Sequence, residues 1–272
     1  MWTPDPIAFQ IGPLAIRWYG ILMSTSLALG TILAYREAEK QKIDPEYIIN
    51  LVVVAAPLGF IGARLYYILF FNLEYYLSHP AEIPAVWHGG LAIHGALIGG
   101  IFGGYLVVRH YKLSFWQMAD IVAPSLILGQ AIGRWGNFFN QEAYGYETNL
   151  PWAMYIDGAY RHPTFLYESL WNLMVLATLL LIRRKSFMKK GDLFAAYFAL
   201  YSLGRVFVES FRTDSLMFGP FRVAQLVSVL GMAAGVLFIL YNHRKGKEED
   251  KENMKSINDK ENKEKAMIKG RR

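Results

Sequence analysis

Seven apolar stretches, 54% hydrophobic against 18% charged residues, and a one-sided distribution of lysine and arginine predict an all-α integral membrane protein with seven transmembrane helices. So much apolar surface exceeds what one water-soluble core needs, and the mean hydropathy is positive. A net charge of +6 and a pI near 9.3 would fit a nucleic-acid partner if the basic residues covered a folded surface. They concentrate instead in short connections and after residue 241, as in a membrane protein oriented by its charges, so no nucleic-acid partner is expected. The chain has no cysteine, which excludes disulfides, thiolate metal ligands and a cysteine-linked intermediate. Any thiol in its chemistry must arrive on a substrate.

The apolar runs cover residues 14–34, 48–71, 91–108, 116–132, 165–182, 193–211 and 223–241. Each is read as crossing a hydrocarbon core of about 30 Å. The fourth carries Asp120, Pro124 and Gln130, and the sixth is interrupted by Arg205 and Glu209. No basic segment and cleavage site precede the first run, so it is expected to persist as a span. With alternating connections, one side of the membrane holds 21 lysines and arginines and the other 5. The positive-inside rule then places the N-terminus outside and the C-terminus in the cytoplasm. The expected organisation is a seven-helix domain over 1–241, with an outward connection at 133–164, and a basic tail over 242–272. The tail is expected to be disordered or loosely helical and to touch anionic lipid. Most aromatic residues of the outward connection read as an interfacial belt.

Two arginines fall inside apolar runs, Arg64 in the second and Arg205 in the sixth, both toward the outer end. A guanidinium at depth costs at least about 2.5 kcal/mol, so it marks a function or a paired partner unless the side chain snorkels to the headgroups. Tyr201, Arg205, Glu209 and Arg212 fall on one helical stripe by their spacing, which cannot face lipid. Glu209 can pair with Arg205 or Arg212 there, as a structural lock between helices or as an orienting partner in a site.

A second constellation runs from Gly133 through Arg134, Asn137, Asn140 and Glu142 to Gly145. The glycines are expected to let the fourth helix unwind and present backbone N–H groups. Arginine with asparagines suits an anionic, hydroxyl-bearing group such as a phosphate ester with a polyol head. The third is His88-Gly-Gly-Leu-Ala-Ile-His94-Gly, entering the third span, where Gly95, Gly99 and Gly103 read as a packing face. His94 sits level with the arginines and is either a hydrogen-bonded structural residue or a base. No metal-binding motif, lysine-ended phosphate loop or serine elbow is present, and no cofactor or metal is expected.

These strings, together with Arg17-Trp-Tyr19-Gly, Gly62-Ala-Arg64 and His162-Pro-Thr-Phe-Leu-Tyr167-Glu168, closely resemble the bacterial phosphatidylglycerol:prolipoprotein diacylglyceryl transferases. The similarity runs in order from about residue 10 to residue 240. It implies a multi-pass enzyme of the bacterial plasma membrane, active toward the outer face, with phosphatidylglycerol, the lipobox cysteine of a prolipoprotein signal peptide and membrane lipids as partners. The diacylglyceryl group would move to the thiol, giving a thioether and glycerol phosphate. Carried over, the phospholipid-binding arginine falls on Arg134, the second essential arginine on Arg205, the essential tyrosine on Tyr201 and the candidate histidine on His94. Asn137, Glu142 and Gly145 match further required positions and Tyr19 a supporting one; Arg64, Asn140, Glu209 and Arg212 complete the expected substrate-binding set. Phe165 departs from the family, where a polar residue is common. A lipid or anion transporter is the rival, but no second polar cluster continues inward from the arginines and no inverted repeat is visible.

Overall fold

The computed structural model describes residues 4–12 and 14–245. Among them each apolar run falls largely within a helix: α1 (Trp18–Lys40), α2 (Glu46–Phe71), the short α3 (Leu73–Ser78), α4 (Ile93–His110), α5 (Phe115–Phe139), α6 (Thr164–Ile182), α7 (Asp192–Glu209) and α8 (Val223–Lys245). Four of these, α1, α2, α6 and α8, are long and apolar enough to cross a membrane by length and composition. The chain is therefore a mostly helical membrane protein. Its large exposed side chains, such as Val53, Leu69, Leu181 and Leu230, are the ones a hydrocarbon solvent leaves on a helix surface.

The chain divides into two compact units, one over residues 2–142 and the other from 143 onward. In the first unit the glycine ladder interlocks α2 with α4. A Cβ on Gly95 would stand 2.1 Å from Gly62 O, one on Gly99 2.1 Å from Leu58 O, and one on Gly103 2.8 Å from Ala55 Cα. Backbones this close gain dispersion that lipid cannot supply, the reason small residues line helix contacts in membranes. A second seam joins α1 to α5, where Ser125 Oγ donates to Gly30 O at 2.7 Å. Between the seams, Ala34, Ala38, Ile48, Val108, Met118 and Ile121 form a buried apolar cluster.

In the second unit Gly204 of α7 makes room for the Trp171 indole of α6, 2.2 Å from where a Cβ would stand, and Trp171 Nε1 donates to Leu200 O at 2.9 Å. Gly231 and Gly235 bring α8 against α7 in the same way. Asp192, 1% exposed at the first turn of α7, fastens the last turn of α8. Its carboxylate accepts from Asn242 Nδ2 at 2.8 Å and from Lys189 N at 2.9 Å, and lies 2.7 Å from His243 Nε2.

Three boundaries differ from expectation. Residues 14–17 belong to a hairpin, β1 (Ile7–Ile11) paired with β2 (Leu14–Arg17), so the first helix starts at Trp18. The turn at Gly12, with φ of 59°, reverses the chain before a helix can begin. The fourth helix does not unwind at its glycines but continues through Gly133 and Gly136 to Phe139. The connection after this helix therefore begins at Asn140, and Gly136 serves packing: a Cβ there would lie 2.4 Å from Tyr19 Cδ2. At the far end α8 runs to Lys245, so 242–245 are helix. The expectation of disorder for the rest of the tail, 246–272, falls outside the described residues.

Candidate functional site

In the first unit, α5 ends in a donor-rich network. Asn137 and Asn140 both donate their side-chain amides to Glu142 Oε1, at 2.9 and 3.2 Å, and Arg134 Nη1 reaches Asn137 Oδ1 at a long 3.5 Å. Glu142 N closes onto Asn137 O at 3.0 Å, and Gln141 and Ala143 adopt positive φ to turn the chain back. Local geometry thus ties four predicted residues into one cluster. Tyr19, on the first turn of α1, joins it by packing its ring on Gly136. An arginine fork above oriented amides is suited to a phosphate with neighbouring hydroxyls.

His94, exposed in the first turn of α4, stands apart from that network. Its ring stacks on Tyr66 of α2, centroids 5.5 Å apart. Arg64 does something the sequence did not foretell. It is 6% exposed, and all five of its N–H groups go to main-chain oxygens: Nε to Ile83, Nη1 to Gly89 and Gly90, Nη2 to Glu82 and Ala85. Its charge also faces the Tyr76 ring, 5.0 Å to the centroid. No N–H is left for a phosphate, so the expected substrate contact of Arg64 gives way to a structural one.

In the second unit Tyr201, Arg205 and Glu209 share the predicted stripe on α7, whereas the helix ends at Glu209 and Arg212 lies past it, bridged to Gly145. Arg205 Nη2 lies 2.7 Å from Glu209 Oε2, and Glu209 is also 4.0 Å from Arg212 Nε. Arg205 Nη1 pairs with Glu168 Oε1 of α6 at 2.7 Å. Arg212 forms a bidentate pair with Asp214, Nε to Oδ1 at 2.9 Å and Nη2 to Oδ2 at 2.7 Å. Tyr201, two turns earlier and half-buried, stacks on Tyr197 at 6.3 Å. Glu168 lay inside a quoted motif and Asp214 is two residues beyond the stripe, but neither spacing identifies a partner on another helix or across a turn.

Gly145 is architectural. Its N–H donates to His162 O at 3.1 Å, it bridges to Arg212, and a Cβ on it would stand 2.7 Å from His162 Cβ and 2.9 Å from Phe211 O. The connection around it carries the hairpin β3 (Met154–Ile156) and β4 (Ala159–Arg161), over which Arg161 faces the Tyr144 ring at 4.6 Å. Tyr144 donates to Asp157, and that hydrogen bond, aided by desolvation, pushes the phenol above its ordinary range. The hydrogen bonds from Arg212 hold the Asp214 carboxyl below the usual carboxylate range, against partial burial. Among the described residues no group of three or more histidines and carboxylates is arranged to hold a metal ion.

Comparison with known proteins matches the chain to a family. The prolipoprotein diacylglyceryl transferase family matches residues 6–241. A phosphatidylglycerol–prolipoprotein diacylglyceryl transferase of Listeria monocytogenes is 47% identical over 253 residues, covering 89% of this chain and 91% of the relative. Enzymes of that name from Nostoc sp. and Acaryochloris marina are 47% and 49% identical over 249 and 246 residues, each covering 86% of this chain and 88% and 89% of the relative. With a match across nearly the whole described helical region, the chain belongs to the prolipoprotein diacylglyceryl transferase family.

Proposed function

We infer that the chain transfers the diacylglyceryl group of phosphatidylglycerol to a prolipoprotein, the first step of lipoprotein maturation. The match to relatives of that name over 86–89% of the chain carries this inference. The donor-rich network at the end of α5 supports it chemically, because a phosphodiester with a glycerol head presents the charge and hydroxyls that Arg134, Asn137 and Asn140 suit.

The acceptor is the lipobox cysteine of the signal peptide. Its sulfur attacks the terminal glyceryl carbon of the lipid, the C–O bond to phosphate breaks, and glycerol phosphate leaves with the bonding electron pair. A free thiol has a pKa near 8.5, so its proton must be removed. Arginine cannot serve as that base. His94 takes or relays the proton, while Arg134 and Arg205 are the proposed phosphate ligands that stabilise charge on the leaving group. Tyr201 and Glu209 orient Arg205, Arg212 balances Glu209, and Tyr19 and Gly145 support the binding residues. In this proposal seven helices span the bacterial plasma membrane, with the N-terminus outside, the C-terminus in the cytoplasm and the chemistry at the outer face. The charge asymmetry of 21 against 5 supports that orientation.

The test is to incubate purified protein with phosphatidylglycerol and a lipobox peptide carrying Cys or Ser. A mass gain of one diacylglyceryl unit on the Cys peptide alone is expected; lipid movement between leaflets without covalent transfer would mean a transporter. Arg134→Ala should abolish phospholipid binding, and unchanged binding would remove the phosphate role of Arg134.

A further inference from the structure

Four successive features of one α2 turn converge on the start of α4. Gly62 and Gly95 meet backbone to backbone, with a Cβ on Gly62 falling 2.4 Å from Gly95 O. Ala92 N donates to Ala63 O at 3.0 Å. Arg64 binds five of the carbonyls of residues 82–90, the segment that leads into the helix. Tyr66 stacks its ring on His94 at 5.5 Å and also on Phe70 at 4.4 Å.

The segment that Arg64 grips is otherwise held by short-range contacts within itself: two 3-10 turns, Pro80–Glu82 and Val86–His88, and a Glu82 Oε2–His88 Nδ1 contact at 2.7 Å; it leaves through Gly89 and Gly90, both at positive φ. Local turns shape the segment, and the buried fork of Arg64, with five donors in one plane, ties it to α2. Lysine, with three donors on a flexible stem, cannot reproduce that fork. His94, in the first turn of α4, stacks on the Tyr66 ring of α2, so its orientation depends on where α4 begins and on that ring.

We propose that Arg64 and Tyr66 are positioning residues for His94: Arg64 fixes the segment that sets the start of α4, and Tyr66 fixes the imidazole plane. The proposal rests on the reading that His94 handles the thiol proton. It assigns Arg64 a role in the rate of transfer and none in holding the lipid.

The experiment uses the full chain in lipid nanodiscs, with phosphatidylglycerol and the Cys lipobox peptide as substrates. For Tyr66→Leu and Arg64→Lys, kcat falls on the order of 10- to 100-fold, as for a displaced catalytic group, with KM for phosphatidylglycerol unchanged. Tyr66→Phe, which keeps the ring, stays near wild type. Histidine carbon labelling supplies a readout independent of turnover. The His94 resonance, identified by its loss in His94→Gln, carries a ring-current shift that survives in Tyr66→Phe and disappears in Tyr66→Leu and Arg64→Lys. A raised KM in Arg64→Lys would make Arg64 a lipid ligand and overturn the proposal. So would an unmoved His94 resonance in Tyr66→Leu, which keeps the test decisive if Arg64→Lys fails to fold. Normal turnover by His94→Gln with the resonance shifts as expected would instead sink the proton-handling role and leave the positioning geometry standing.

Discussion

Arg205 and Glu168 form a buried ion pair between α7 and α6, Nη1 to Oε1 at 2.7 Å, with side chains 16% and 6% exposed. Glu209 holds the other end of the same guanidinium, so two carboxylates fix one arginine from two helices. Removing one partner of such a pair leaves a buried charge uncompensated, at about 3–5 kcal/mol. Glu168→Ala should therefore lower the melting temperature sharply. Glu168→Gln, which keeps an acceptor, should remain folded and lose turnover because Arg205 is held from one side only. Thermal unfolding and transfer rates measured on both variants check this; wild-type turnover in a folded Glu168→Gln would show that Glu209 alone suffices.

Gly204→Ala should be among the most damaging single-methyl additions, because the new Cβ would stand 2.2 Å from the Trp171 ring. Overpacking of a tight contact costs about 1–3 kcal/mol. Trp171→Phe combined with Gly204→Ala should recover part of the loss by vacating the space. Thermal melts of the single and double variants measure the coupling, and purely additive effects would argue against the contact.

Tyr144 contributes in a pH-dependent way. Its hydrogen bond to Asp157 requires the neutral phenol and raises its folded-state pKa. The stabilisation is thus complete below the ordinary tyrosine range, near pH 10, and is lost as pH rises through the folded value. Tyr144→Phe should be less stable than wild type at pH 8, and the gap should narrow above pH 10. A gap that widened with alkali would contradict the assignment.

Asp214 shows the opposite sign. Arg212 depresses its pKa, so the stabilisation is present above the unfolded value near 3.9 and disappears as pH falls through the folded one. The Asp214 side chain is 49% exposed, which limits the contribution to at most about 1 kcal/mol. Asp214→Asn should differ slightly from wild type at pH 7, and the difference should shrink as the pH of parallel melts is lowered below the unfolded value.

The helices were legible in sequence because hydrocarbon demands long apolar runs. The glycines at 95, 99 and 103 announced a helix seam, and α2 fills it. The charges on α7 announced a polar stripe, and Glu209 pairs as its spacing allows. What escaped was set by tertiary contact. Gly136 looked like a place to unwind a helix, yet it stays helical because Tyr19 packs on it. Arg64 looked like a member of the substrate-binding set, since a sequence cannot show that five carbonyls of a later segment fold back onto it. Glu168 and Asp214 were visible residues without visible partners.

The fastening of Asn242 and His243 onto Asp192 bears on how the protein meets bilayers of different thickness. A helix longer or shorter than the hydrocarbon around it ordinarily adjusts by tilting or by sliding along its neighbours. Here the last turn of α8 is hooked to the first turn of α7, so α8 cannot slide alone. A membrane that tilts α8 therefore pulls on the first turn of α7, the helix whose later turns carry Arg205 and Glu209.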